Sequence, residues 1–246
     1  MPFDAQILHF PTLADFAAHL DTVPRPAWCS GATAHNTYIP NETQWRGMAS
    51  MLSMRQTYID KGWSAGPHLY LAAECANPSD RGIWQMTPLA HPGVHAGPCN
   101  GARLGLENVA DWQAHPPTVA QYRLLLDVLT LLYARWALPQ PVNVHKECMP
   151  GRTCPGQHLD ADQLRADLAV RLNPPPAPPV SYMVRGLPVY DDSQGHTPSG
   201  RYLLPGSKVR IDRVAAQQPA DYREDFGHVA DADGGGFIDL NGAAKV

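Results

Sequence analysis

The sequence predicts two parts: an α/β domain with one central mixed β-sheet flanked by helices, and a small all-β, barrel-like C-terminal domain. Three observations predict this division. Short apolar runs alternate with long helical-period runs up to residue 172. A stretch from Asn173 to Val180 carries five prolines. Beyond it the chain breaks into short β-type runs punctuated by Gly, Pro and Asp. Prolines at that density exclude helix and central strand and favour an extended spacer. The expected boundaries are therefore 1–172, a linker at 173–180, and 181–246.

Within the first part, Asn41 to Lys61 places Trp45, Met48, Met51, Leu52 and Tyr58 at helical spacing, with Asn41-Glu42-Thr43 as its start. Leu69 to Ala73, Gly82 to Met86 and Arg103 to Val109 read as short strands. Thr118 caps a long helix ending at Trp136. Val142 to Val144 is a short strand leading straight into His145. Asp160 to Leu172 is a final helix with Leu164, Leu168 and Leu172 on one face. Strands interleaved with long helices imply one sheet covered on both faces. In the second part, VRGLPVYD, GRYLLPGSKVRIDRV, DYREDFGHVAD and GGGFIDL have the length and turn chemistry of strands in a small barrel.

Composition narrows the function. Apolar residues make up 44% of the 246 and charged residues 17%, a globular balance. The formal net charge of -4 comes without a dense Lys/Arg cluster, which argues against a nucleic-acid partner. No run of about 18 apolar residues occurs, so no membrane span is expected. The first residues, MPFDAQILHFPTLADF, lack the basic and unbroken apolar regions of a signal peptide. The expectation is synthesis in the cytoplasm, with release by another route if the protein acts outside. The five cysteines are an odd number, which argues against a full disulfide framework. Most are expected to be small buried residues or local thiols. Cys148, six residues before Cys154, is read as packing or as a second thiol.

Three residues have the chemistry of a zinc site with one open position: His35, His145 and Cys154. Zinc favours imidazole nitrogen and thiolate sulfur, and a catalytic site keeps three protein ligands. His35 lies in GATAHNTYIP at the end of an apolar run. His145 ends PVNVH. Cys154 follows nine residues later on a Pro/Gly-containing loop short enough to fold back. On spacing alone, three unrelated residues among eleven histidines and five cysteines remain the alternative.

The blocks HNTYIP, GWSAGPHLYLA, GIWQMTPLAHPGVHAGPCN, RLGLENVADW and HKECMPGRTCPG, in that order from about Trp28 to Leu159, resemble the type-2 N-acetylmuramoyl-L-alanine amidases. That family includes animal peptidoglycan recognition proteins and bacteriophage lysozyme-amidases. The order and spacing of five blocks is far more specific than any one of them. The resemblance implies a Zn2+ cofactor held by His35, His145 and Cys154, and a peptidoglycan substrate cut between N-acetylmuramic acid and L-alanine. It implies that Glu107 is the general base, with a strand-end salt bridge as the alternative. Arg152 stands where many relatives have a Lys that stabilises the oxyanion, with a solvated loop charge as the alternative. His95 and Asn100 are expected to line the substrate groove. Trp84 and Trp63 offer faces for sugar or peptide, with core burial as their default. His68 is expected in the core or behind the ligands.

One departure matters. Many relatives carry a catalytic Tyr before the His of the second block, and this chain has Pro67 there. That shifts the catalytic burden to Glu107 or favours the alternative, a peptidoglycan-binding protein that does not cut. Loosely, 181–246 resembles bacterial Src-homology-3-like wall modules, with Tyr190, Tyr202, Tyr222 and Phe237 as candidate contacts or core. An endolysin or another wall-lytic enzyme, acting on the wall or periplasm after release, is the expected role. The oligomeric state is not legible.

Overall fold

The structure is a computed structural model. It describes side chains over residues 3–174 and, beyond them, the backbone of five strands alone. The chain divides into two compact units, Met1–Pro174 and Pro175–Val246.

The first unit is a six-stranded mixed sheet. Its strands are β1 (Leu8–Phe10), β2 (Gly31–Asn36), β3 (Leu69–Ala72), β4 (Gly82–Gln85), β5 (Arg103–Asn108) and β6 (Asn143–Val144), in the spatial order β1-β4-β3-β5-β2-β6. β1, β4 and β3 run antiparallel, whereas β3, β5, β2 and β6 are parallel. The helices are α1 (Leu13–Thr22), α2 (Met48–Asp60), α3 (Val119–Trp136), the one-turn α4 (His145–Cys148) and α5 (Ala161–Leu172).

Local sequence explains the helix ends. Thr12 and Asp15 form a reciprocal capping box at α1, and Thr118 with Gln121 forms another at α3. Asp160 caps α5 by accepting from Asp162 and Gln163 N–H. The α1 helix and the β1 strand were not anticipated. Thr12-Leu-Ala-Asp15 was the signal that marked α1.

The expected helix from Asn41 to Lys61 is shorter than its apolar spacing implied. Asn41 uses its side chain on Thr43 and Gln44 N–H, which makes a turn rather than a helix start. Gly47 then caps α2 at φ 53, and a Cβ there would lie 2.4 Å from Asp80 Oδ1. Of the predicted face, Met51 is buried, while Met48 and Leu52 are exposed.

The two faces of the sheet carry different cores. Leu69, Leu71, Ile83, Leu104 and Leu106 pack with α1, α3 and α5. On the other face Tyr70 and Trp84 pack with Trp45, Met51 and Cys75, and Met54 and Tyr58 of α2 lie against them. Alternation along β5 thus sends Leu106 to the large core and Glu107 to the opposite face. No described helix is long and apolar enough to cross a membrane.

The second unit is a five-stranded antiparallel sheet. Its strands are β7 (Val180–Tyr190), β8 (Pro198–Val214), β9 (Phe226–Val229), β10 (Phe237–Asp239) and β11 (Ala243–Lys245), in the order β10-β9-β8-β7-β11. The expected barrel packing, and the roles considered for Tyr190, Tyr202, Tyr222 and Phe237, lie outside the described side chains.

Candidate metal centre and active site

The sheet register builds the site. His35 pairs with Glu107 across β2 and β5, Glu107 pairs with Tyr70, and Tyr70 pairs with Trp84. Directly paired residues share a face, so this row stands on the side covered by α2. His145 arrives by a second route. β6 runs parallel to β2, pairing Val144 with Ala34, and the chain turns into α4 at His145.

Two contacts hold that turn. Glu147 accepts from Val144 N–H at 2.9 Å and is gripped by Arg165 at 3.2 Å. Lys146 N–H donates to the Cys154 carbonyl at 3.0 Å, which folds the loop back so that Cys154 lies beside His145.

One donor atom each from His35, His145 and Cys154 falls within a 4.8 Å cluster. His35 Nδ1 is 3.5 Å from Cys154 Sγ. A tetrahedral site with bonds of about 2.0–2.3 Å sets its ligand atoms about 3.5 Å apart. His145 Nε2 is buried and has no hydrogen-bond partner. An orphaned imidazole nitrogen beside a thiol and a second imidazole fits a zinc ion, because metal binding would satisfy it.

Burial shapes the electrostatics. It lowers His35 well below the usual imidazole range, with His95 and His145 adding to the effect. It lowers His145 too, with Arg152 adding to it. It pushes the Cys154 thiol up to about 12, Glu107 contributing, and the Glu107 carboxyl up to about 8. Glu107 Oε1 lies 3.8 Å from His35 Nδ1, with both groups driven toward their neutral forms. A dication there would favour the charged forms of carboxylate and thiolate.

Glu107 lines a cavity of about 250 Å³ together with Asn36, Ile39, Tyr58 and Lys61. The Tyr58 and Tyr70 hydroxyls lie 3.0 Å apart, and Glu107 helps raise both phenols. Tyr58, read in the sequence only as part of a helix face, and Asn36 and Lys61 were not expected at the site. Asn36 comes with His35 at the end of β2, whereas the packing of α2 brings Tyr58 and Lys61 here. A larger cavity of about 660 Å³ between α3 and α5 is lined by Tyr122, Leu126 and, from the loop before α5, Leu159, and contains none of the three donors.

The remaining expected site residues fall as follows. Arg152 is exposed on the loop between α4 and Cys154, and its charge is felt by His145. His95 and Asn100, expected to line the groove, and Trp84, for which core burial was the default and a substrate face the alternative, are all engaged inward, and none lines the cavity beside Glu107. His95 is buried behind His35. Asn100 Oδ1 accepts from His95 and Ala96 N–H at 2.9 and 2.7 Å. Trp84 is 4% exposed, stacks on His9 and donates from Nε1 to the Asp80 carbonyl. His68 is buried, as expected for a core histidine, and Pro67 is buried beside it.

The reading of Cys148 as packing or a second thiol needs correction. Cys99 and Cys148 form a disulfide, and Cys29, Cys75 and Cys154 are free. An odd total permits one bridge, and the pair is brought together by the fold across 49 residues. The bridge ties the end of α4, three residues after His145, to the short turn Gly97–Cys99.

Residues 26–157, more than half of the chain, match the N-acetylmuramoyl-L-alanine amidase family model Amidase_2. The chain belongs to this amidase family. Comparison with curated proteins gave no match. Among solved structures the chain is similar to the N-acetylmuramoyl-L-alanine amidase LysC from Clostridium intestinale, at 18% identity over 59% of this chain and 87% of that one, TM-score 0.47. It is similar to Drosophila PGRP-LB, at 18% identity over 71% and 88%, TM-score 0.45. It is also similar to Apis mellifera PGRP-SA, at 14% identity over 57% and 83%, TM-score 0.47. The amidase-family segment contains His35, His145, Cys154, Glu107 and Arg152.

Proposed function

We propose that this amidase-family chain is a zinc hydrolase that cuts the amide between the lactyl group of N-acetylmuramic acid and the first L-alanine of peptidoglycan. The observation that carries the reading is the cluster of His35, His145 and Cys154 donors with the Glu107 carboxyl beside it. Zinc held there would polarise the amide carbonyl and acidify a water.

The chain's own residues supply the rest. Glu107 takes a proton from the attacking water as the new C–O bond forms. It then returns that proton to the alanine nitrogen as the C–N bond breaks. Arg152 offers directed donors to the carbonyl oxygen as it gains negative charge. The cavity beside Glu107 takes the start of the stem peptide, with Lys61 at its wall as a partner for carboxylates.

Action outside the cytoplasm, as an endolysin or another wall-lytic enzyme, agrees with the Cys99–Cys148 bridge, since disulfides persist in oxidising surroundings. Residues 181–246 are assigned to wall binding on their sequence resemblance.

Purified protein should carry about one zinc per chain, and it should release peptides with a free N-terminal L-alanine from sacculi. His35→Ala should lose both properties. Zinc-loaded protein that binds sacculi and releases no peptide would establish the non-cutting alternative that Pro67 raises.

A further inference from the structure

Behind His35 lies a buried chain of polar contacts that the reaction above leaves unused. His95 Nε2 lies 3.0 Å from the Arg103 carbonyl oxygen, and His95 Nδ1 lies 3.0 Å from His35 Nε2. A carbonyl only accepts, so the proton of His95 sits on Nε2. No ion pair of His95 occurs among the described residues, and a neutral ring has one donor and one acceptor. Its Nδ1 therefore accepts, and His35 Nε2 must be the donor. His35 Nδ1 is then left with a free lone pair, and this is the atom 3.5 Å from Cys154 Sγ.

We propose that His95 is a positioning residue for the metal centre: by accepting from His35 Nε2–H it holds His35 in the tautomer and ring orientation that present Nδ1 to the ion. This rests on the zinc reading above. Partners of this kind orient metal-bound imidazoles and raise their basicity.

The fold makes room for this arrangement at some cost in sequence freedom. A Cβ on Gly105 would lie 2.6 Å from His95 Cγ, so β5 needs glycine where the His95 ring crosses it. Gly105 N–H donates to His68 Nδ1 at 3.0 Å, and His68 Nε2 donates to the His91 carbonyl at 2.9 Å. A Cβ on Gly93 would in turn lie 2.6 Å from His68 Cε1. His68 thus braces the strand segment against which His95 rests, and Asn100 pins the His95 backbone.

Two measurements on the full chain test the proposal. In metal-free wild type labelled with nitrogen-15 histidine, His35 should be found as the Nε2–H tautomer. An Nδ1–H tautomer would overturn the proposal without any mutation. Zinc affinity should then be compared by chelator competition in His95→Leu and His95→Asn. The two replacements are similar in size, but the Asn carbonyl oxygen hangs from Cγ as Nδ1 does. Leu should weaken zinc binding by about 10–100-fold, and Asn should recover most of that loss. Wild-type affinity in the Leu variant, or equal losses in both, would reject a positioning role. If wild type itself takes up no zinc, the amidase reading fails, while the nitrogen spectra still decide the hydrogen-bond chain.

Discussion

His35 and Glu107 are direct partners across the parallel strands β2 and β5, with His35 Nδ1 3.8 Å from Glu107 Oε1. Two strands that hydrogen-bond in register thereby place an imidazole and a carboxyl side by side. Strand pairing fixes the Cα positions, so neither side chain depends on a mobile loop.

Glu107→Gln should keep zinc and lose most hydrolysis, on the order of a hundredfold or more. The amide keeps the shape of the side chain and removes the proton acceptor. Steady-state release of alanine-terminated peptide, measured alongside zinc content, checks this. Near-wild-type turnover would move the base elsewhere, and the Tyr58–Tyr70 hydroxyl pair beside the same cavity would be the next to substitute.

Breaking the Cys99–Cys148 bridge should destabilise the first unit by about 2–4 kcal/mol. The bridge closes a long loop and holds the turn carrying His145. Denaturant unfolding of the Cys99→Ser/Cys148→Ser variant gives the stability change. Zinc titration of the same protein should show weaker binding. Unchanged stability would mean that the Glu147–Arg165 contact and the Cys154 loop hold the turn unaided.

Acid should unfold the metal-free protein partly through His68. Burial holds this ring at about 3 against an ordinary 6.5, with His95 adding to the shift. The unfolded chain takes up a proton at the ordinary value and the folded chain does not. The stability from neutral His68 is therefore complete above 6.5 and is lost as the pH falls toward about 3. His68→Gln should flatten the slope of unfolding free energy in this window by up to about 1.4 kcal/mol per pH unit. An identical slope in both proteins would show that His68 is protonated in the folded state.

Deleting residues 181–246 should lower activity on insoluble sacculi far more than on a small muramyl peptide. A second contact raises the local substrate concentration only where there is a wall to hold. Equal losses on the two substrates would point to a structural role for the second unit.

Much of the first unit is legible in the sequence because its signals are local. Thr118 announces α3 through a capping box, and β5 shows its alternation between Leu104, Leu106 and Glu107. His35, His145 and Cys154 are recognisable because zinc chemistry restricts the residue types and the family blocks preserve their order. The α2 helix was read too long because periodicity of Trp45, Met48 and Leu52 counts apolar residues without saying which are covered. Met48 and Leu52 are exposed because their side of α2 faces away from the sheet.

What the sequence by itself determined is the mixed α/β class, the order of the main elements and which residues, His35, His145, Cys154 and Glu107, to look for together. Tertiary structure alone decided that Cys99 meets Cys148, that His95 turns inward to His35, and that Tyr58 and Lys61 come to the cavity beside Glu107. Those pairings join residues tens of positions apart. They depend on strand register and helix placement, which no local pattern along the chain encodes.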